Sequence, residues 1–496
     1  MAFQFWRYTV DDAFISFRYA RNLVHGWGLV FNQGERVEGY TNFLWVLLTA
    51  IPEMFGFSTE MFAKVVGLVC SVGTLVVISW PTNGLSPAVR WIPAAFLATS
   101  PSFVVWSVSG LETALFGLLL TLGILRVAWS AENGKTDQVA AVLLALACLA
   151  RPEGVLIVTT VAAIYSVLAL RRVLAWSSWL KWCLTVLAIF LPYYLWRYAY
   201  YGYPLPNTFY AKVGFGGSQF SRGLLYLKSF ILASGFWTIG WILGLRWNRR
   251  PRFSAIIGST LVVFITYIVL VGGDGLPMYR FFAPIVGLLY LLLLGLGVDG
   301  FFKRWGERNW AMRAGVTVLA ISFFWNAHAA VFGPGYRSVQ KDIKEIWTWK
   351  VIGGWFRQNA ARSESLAVIP AGALPYYSEL RSLDMLGLND VAIAHRTMEN
   401  LGAGRAGHEK YDVAHVLDWK PTYVLVGVYR LYRQLMPPEE MIWPYYPAET
   451  ALLDSKEFKN AYELRSASVA GGHFYFYVRR DRASPAAPNG RSVKLP

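Results

Sequence analysis

The sequence predicts a polytopic α-helical membrane protein of about ten spanning helices, followed by a C-terminal soluble α/β domain. Three observations lead there. Of 496 residues, 55% are hydrophobic and only 15% charged, and the mean hydropathy is +0.38, too apolar for a water-soluble chain of this size. The apolar residues gather into runs near the ~20 residues that ~30 Å of hydrocarbon requires. After Gly335 the texture changes: charges rise, apolar runs shrink to strand length, and Pro and Gly punctuate. The net charge of +16 does not point to nucleic acid, because the Lys and Arg fall in short clusters between apolar runs, as anionic headgroups would select. Cys70, Cys148 and Cys183 lie inside apolar runs at no metal-like spacing, so they read as small buried hydrophobes.

Taken in order, residues 1–60 read as a polar, aromatic-rich extracytoplasmic loop with interfacial helices. Asp11 and Asp12 open it, ahead of the helix-forming stretch AFISFRYARNLV. Two adjacent carboxylates near lipid repel each other and persist when they face water, a cation or a proton-transfer partner; the plain alternative is a solvated N-cap. Residues 41–57 are short, carry Pro52 and Glu53, and suit an interfacial helix better than a span. The transmembrane region, 61–334, holds spans near 61–80, 91–108, 111–129, 179–198, 223–245, 254–272, 281–298 and 311–330. A shorter pair, 138–150 and 155–170, forms a hairpin whose tip is RPEG (151–154). RWNRRPR (246–252) and FKRWGER (302–308) mark the cytoplasmic side by the positive-inside rule. Counting outward from them puts SGLET (109–113), RPEG, YGYPLPNTFYAK (201–212) and GGDGLPMYR (272–280) together on the opposite face. Residues 335–482 read as a separate extracytoplasmic α/β domain, with strands at 365–370, 422–428 and 473–480 and a helix at 338–359. The tail, 483–496, has the composition of a disordered segment.

The run DDAFISFRYARNLVHGWGLVFNQGERVEGYTNFLW (11–45) resembles the first extracytoplasmic loop of the polytopic GT-C glycosyltransferases. It is most similar to the branch that contains the mycobacterial terminal arabinofuranosyltransferase. SGLET, RPEG, YGYPLPNTFYAK and GGDGLPMYRFFAP (272–284) resemble that branch in the same order, as do GALPYYS (372–378) and DMLGLND (384–390). The resemblance implies a GT-C-like fold, a polyprenyl-phosphate sugar donor and a glycan or lipid acceptor of the cell envelope. It also implies action on the extracytoplasmic face of the inner (plasma) membrane. A first transmembrane helix precedes the DD loop in that family, so a hydrophobic stretch of about 20 residues is expected upstream of Met1.

Such a donor presents a lipid tail, a phosphate leaving group and an anomeric carbon. A transferase therefore needs an apolar groove, cations for the phosphate and a carboxylate for the acceptor's proton. The resemblance makes Asp11 the general base, with Asp12 orienting it or holding a cation; Glu112 is the third catalytic candidate, or else a carboxylate at a helix start. Arg151, Lys212 and Arg280 are the phosphate candidates, against simple pairing of Arg151 with Glu153 and snorkelling of the others. Asp274 lies in a Gly-rich loop where backbone approaches a ligand closely, and Asn207 is placed to bond sugar hydroxyls; turn roles are the alternatives. Trp27, Tyr40 and Trp45 are read as members of the interfacial aromatic belt. The sequence identifies no certain cofactor, and a divalent metal among Asp11, Asp12 and Glu112 stays open because no spacing is diagnostic. The competing reading is a transporter or flippase with Asp11, Asp12, Glu112 and Asp274 as coupling-ion groups. Against it, the polar residues cluster in loops on one side and no repeated halves are visible.

Overall fold

The structure is a computed structural model that describes residues 1–80, 84–214, 216–398, 401–434 and 444–482; the 483–496 tail, expected to be disordered, lies outside the described residues. The first helices are α1 (Asp11–Val24), α2 (Phe43–Met54) and α3 (Thr59–Ile78). Next come α4 (Ile92–Thr99), α5 (Pro101–Trp106), α6 (Thr113–Glu132), α7 (Gln138–Ala150) and α8 (Glu153–Leu170). They are followed by α9 (Trp176–Tyr201), α10 (Asn207–Lys212), α11 (Gly217–Ser234) and α12 (Pro251–Leu270). Helices Val286–Trp305 and Asn309–Phe332 complete the bundle, and a further helix, Pro334–Asn359, leads into the sheet.

Seven helices of the described residues are long and apolar enough to cross a membrane, or eight if the bent pair around Gly235 counts as one. The expectation of ten spans differs for local reasons. The 91–108 run breaks at Ser100, which is extended (φ −67°, ψ 126°) because Pro101 follows it. The 223–245 run breaks at Gly235, whose φ of 83° is unsuited to a helix. Helix α7 has 13 residues, about 20 Å of rise against ~30 Å of hydrocarbon. Its N-cap Asp137, bonded to Ala140 N and paired with Arg126, marks a polar end. The helix is thus about 10 Å shorter than that thickness, with RPEG at its other end. Small residues let α7 pack closely: Ala140, Ala141, Ala145 and Ala147 are fully buried.

The C-terminal part is a five-stranded mixed sheet in the order β2-β1-β3-β5-β4. Strand β1 (Ser365–Val368) runs parallel to β2 (Arg381–Asp384) and β3 (Tyr423–Val424), and β5 (Gly472–Arg479) is antiparallel to β3 and β4 (Tyr462–Val469). The three expected strands are present, although 422–428 contributes only two residues. Strands β2 and β4 were not expected, because RSLD is short and charged at both ends and YELRSASV mixes polar residues through both faces. The sheet is not set apart from the rest of the chain. One apolar cluster runs from Phe5, Phe14 and Phe17 through Trp106 to Trp349, Leu366 and Phe474. The buried Arg18 of α1 donates to Pro375 O (2.5 Å), Leu380 O (2.8 Å) and Phe31 O (2.7 Å). Taken together, these contacts make residues 1–60 a layer between bundle and sheet.

Candidate active site

Asp11 and Asp12 form the first turn of α1, where the helix dipole favours carboxylates. They face different ways. Asp11 Oδ2 accepts the Gly372 N–H at 2.9 Å and Oδ1 accepts Ala373 N–H at 2.7 Å, at the start of the short helix Ala373–Ser378. Glycine is required there: a Cβ on residue 372 would lie 1.9 Å from Asp11 O. Burial pushes the Asp11 carboxyl up to about 7; the Asp12 and Asp384 charges act in the same direction, and the two N–H bonds oppose it. Burial acts to raise Asp12 as well, but the Lys212, Arg280 and Arg405 charges outweigh it and hold Asp12 below the usual carboxylate range.

Three cavities adjoin one another here. The first, about 200 Å³, is walled by Asp12, Glu112, Glu153 and Asp274 together with Arg151, Lys212 and Arg280. The second, about 100 Å³, shares Asp12, Lys212 and Asp274 with the first and adds Asp11, Arg405 and His408. The third, about 660 Å³, continues from the second past Asp342, Arg405 and Tyr446 to the tyrosines 429, 432 and 445. Side chains from α1, α6, α8, α10, the 272–284 loop and the C-terminal part thus meet around Asp12.

The expected residues divide by how their polar atoms are occupied. Glu112 holds Arg151 Nη1 at 2.6 Å with one oxygen and accepts Asn42 Nδ2 at 2.6 Å with the other. Glu112 is 2% exposed, lines the first cavity and fixes Arg151 there. Arg151 is also gripped by both oxygens of Glu153, at 2.6 and 3.2 Å, so its charge faces two carboxylates. Arg280 Nε lies 2.6 Å from Asp274 and Nη1 3.5 Å from Asp12. Lys212, on the same wall, has no carboxylate within ion-pair distance among the described residues. Asn207 is buried, and its Oδ1 has no hydrogen-bond partner among the described residues. Its Nδ2 donates to Gly387 O, Leu388 O and Asp390 O at 2.8 to 3.1 Å, which clamps α10 to the DMLGLND loop.

Among the described residues, no three His, Cys, Asp or Glu side chains converge to hold a metal ion; the Glu112 oxygens are bonded to Arg151 and Asn42. Tyr40 and Trp45 leave the expected aromatic belt for the interior, at 3% and 0% exposure, while Trp27 stays at the surface. Missed by sequence reading were Asn42, which braces Glu112, and the loop GAGRAGHEK (402–410), which brings Arg405 and His408 to Asp12. Its glycines round a cationic run were a readable signal, of the same kind as GGDG, with Gly402 at φ 103° and Gly407 at φ 78°.

The comparisons with known proteins follow this geometry. A family described as "Domain of unknown function (DUF8728)" matches residues 338–481. The terminal beta-(1->2)-arabinofuranosyltransferase of Mycobacterium tuberculosis is 32% identical over 270 residues, 50% of this chain and 42% of that one. Its counterpart from Corynebacterium glutamicum is 24% identical over 404 residues, 70% of this chain and 56% of that one. The chain thus spans about half the length of the curated relatives it matches. In fold it is similar to ArnT from Cupriavidus metallidurans, solved bound to undecaprenyl phosphate and in the apo state. Each comparison gives a TM-score of 0.54 at 14% identity, over 77% of this chain; 84% of the bound ArnT chain and 83% of the apo chain are covered. The bundle therefore shares the fold of ArnT, and the sequence relatives are terminal arabinofuranosyltransferases.

Proposed function

We propose that the chain is a membrane glycosyltransferase that moves a sugar, arabinofuranose in the first instance, from a polyprenyl phosphate to a glycan or lipid acceptor. The observation that carries this reading is the junction at Asp12, where a cation-lined cavity sunk between apolar helices opens into a second cavity beneath the C-terminal part. The names of the sequence relatives supply the sugar, and the undecaprenyl phosphate held by ArnT supplies the class of donor. The donor's phosphate is assigned to the first cavity and the acceptor to the second and third. We place the reaction, and residues 335–482 with it, on the extracytoplasmic face, as the Arg-rich loops at 246–252 and 302–308 favour.

The residues divide the work as follows. An acceptor hydroxyl oxygen attacks the anomeric carbon, the bond from that carbon to the phosphate oxygen breaks, and polyprenyl phosphate leaves with the electron pair. Asp11 takes the hydroxyl proton, because a base whose pKa lies near 7 combines a useful ionised fraction with real basicity. Asp12, held ionised, orients Arg280, 3.5 Å away, and Lys212 stands on the same wall. Those two face the charge that grows on the leaving phosphate. Purified protein incubated with a panel of polyprenyl-phosphate sugars and short oligosaccharides should release polyprenyl phosphate with at least one pair. Silence across the panel, together with binding of no donor analogue, would sink the reading and favour the transporter alternative.

A further inference from the structure

His408 belongs to the loop that sequence reading missed, and its ring is unusually well constrained. The face lies on Tyr446, with centroids 4.5 Å apart and planes 24° from parallel, and Tyr446 is itself fixed by a 2.9 Å hydrogen bond from Arg405 to its hydroxyl. Nδ1 stands 3.1 Å from the carbonyl oxygen of Ala406. A carbonyl can only accept, so the proton of a neutral ring must be on Nδ1. Burial, then the Arg405 charge and with it Lys212, depress the ring to about 4, so it is neutral at ordinary pH. Nε2 is left with a lone pair, and the ring lines the second cavity with Asp11, Asp12 and Lys212.

A lone pair repels phosphate oxygens and attracts hydrogen-bond donors and cations. Between the cationic first cavity and the tyrosine-rich third, it is suited to a hydroxyl. We infer that His408 is an acceptor-binding residue: Nε2 receives a hydrogen bond from one hydroxyl of the incoming sugar and so holds a neighbouring hydroxyl toward Asp11. The assignment rests on the transferase reading and deepens it, since it fixes which end of the passage takes the acceptor.

The test compares H408F with H408Q, using polyprenyl-phosphoryl arabinofuranose as donor and the short oligosaccharide that serves the wild type best as acceptor. Phe keeps a ring on Tyr446 and loses the lone pair. Gln loses the ring and can place an amide oxygen where Nε2 stood. H408F should raise the acceptor KM by roughly 3- to 10-fold, as loss of a neutral hydrogen bond implies, with affinity for a non-transferable donor analogue unchanged; H408Q should recover part of the loss. The reverse order, with H408F like the wild type and H408Q impaired, is what a packing role gives and would overturn the assignment. If H408F does not fold, judged by its melting curve, H408M takes its place with the same expectations. A wild type silent toward every donor removes the transferase reading and this assignment with it, whereas an H408F variant as active as the wild type removes the assignment alone.

Discussion

At the scale of single residues, the site is decided less by which charges are present than by which are already neutralised. Asp11 holds its proton more tightly folded than unfolded, so its protonated form favours the folded state. That contribution is complete below the ordinary carboxylate range and is lost as pH rises through about 7. The wild type should therefore lose stability between about pH 4 and pH 7 relative to Asp11→Asn, which cannot titrate; denaturant midpoints of the two proteins across that range check this. Asp11→Asn also leaves one of the Gly372 and Ala373 N–H groups without an acceptor, a cost of about 1–3 kcal/mol at every pH. Its turnover should fall by about a hundredfold or more, the share of a general base, and wild-type kcat/KM should climb with pH toward a plateau above 7. Lys212, free of carboxylates, should matter more to the donor than the paired arginines. Lys212→Gln is expected to weaken a donor analogue by roughly 10- to 100-fold, and Arg151→Gln to act chiefly on stability, by unpairing Glu112 and Glu153; isothermal titration and melting curves separate the two. The sequence disclosed these charges but not their partners, because Glu112 meets Arg151 and Asn42 only through the fold, across 39 and 70 positions.

Among the elements, the short helix Ala373–Ser378 and the helix α10 are what hold the C-terminal part against the DD loop. Gly372→Ala should push that helix off Asp11, since the added methyl has no room beside Asp11 O. The expected result is loss of activity beyond that of Asp11→Asn, with the bundle still folded, read by turnover and by near-UV circular dichroism. Apolar helices were legible because their length and composition are local properties. The break at Ser100–Pro101 was legible as well, had the proline been weighed against the apolar run around it. Strand β4 was not, because its residues alternate without a clear apolar face and its pairing with β5 over eight residues is settled by the tight turn at Ala470 and Gly471.

For the molecule as a whole, helix α12, about 30 Å long at 20 residues, separates the cluster at Arg249 from Asp274. Cysteines introduced at positions 249 and 274 should accordingly react with an impermeant thiol reagent from opposite sides of a sealed vesicle, and labelling of both from one side would reject the topology. Residues 1–334 expressed alone should bind no acceptor, because the second and third cavities take Arg405, His408 and Tyr446 from the remainder. The sequence marked the change of texture near residue 335 but not the shared core, since Phe14 and Phe474 are 460 positions apart. The 13-residue length of α7 has one more consequence. A prenyl chain prefers hydrocarbon by about 0.8 kcal/mol per methylene-sized group, so a reaction centre at headgroup level would have to draw the first isoprene units out of oil. Because α7 is about 10 Å shorter than the hydrocarbon thickness, the carrier of the proposed reaction would stay in its leaflet and approach RPEG sideways, and spent and charged carriers would exchange by lateral diffusion alone.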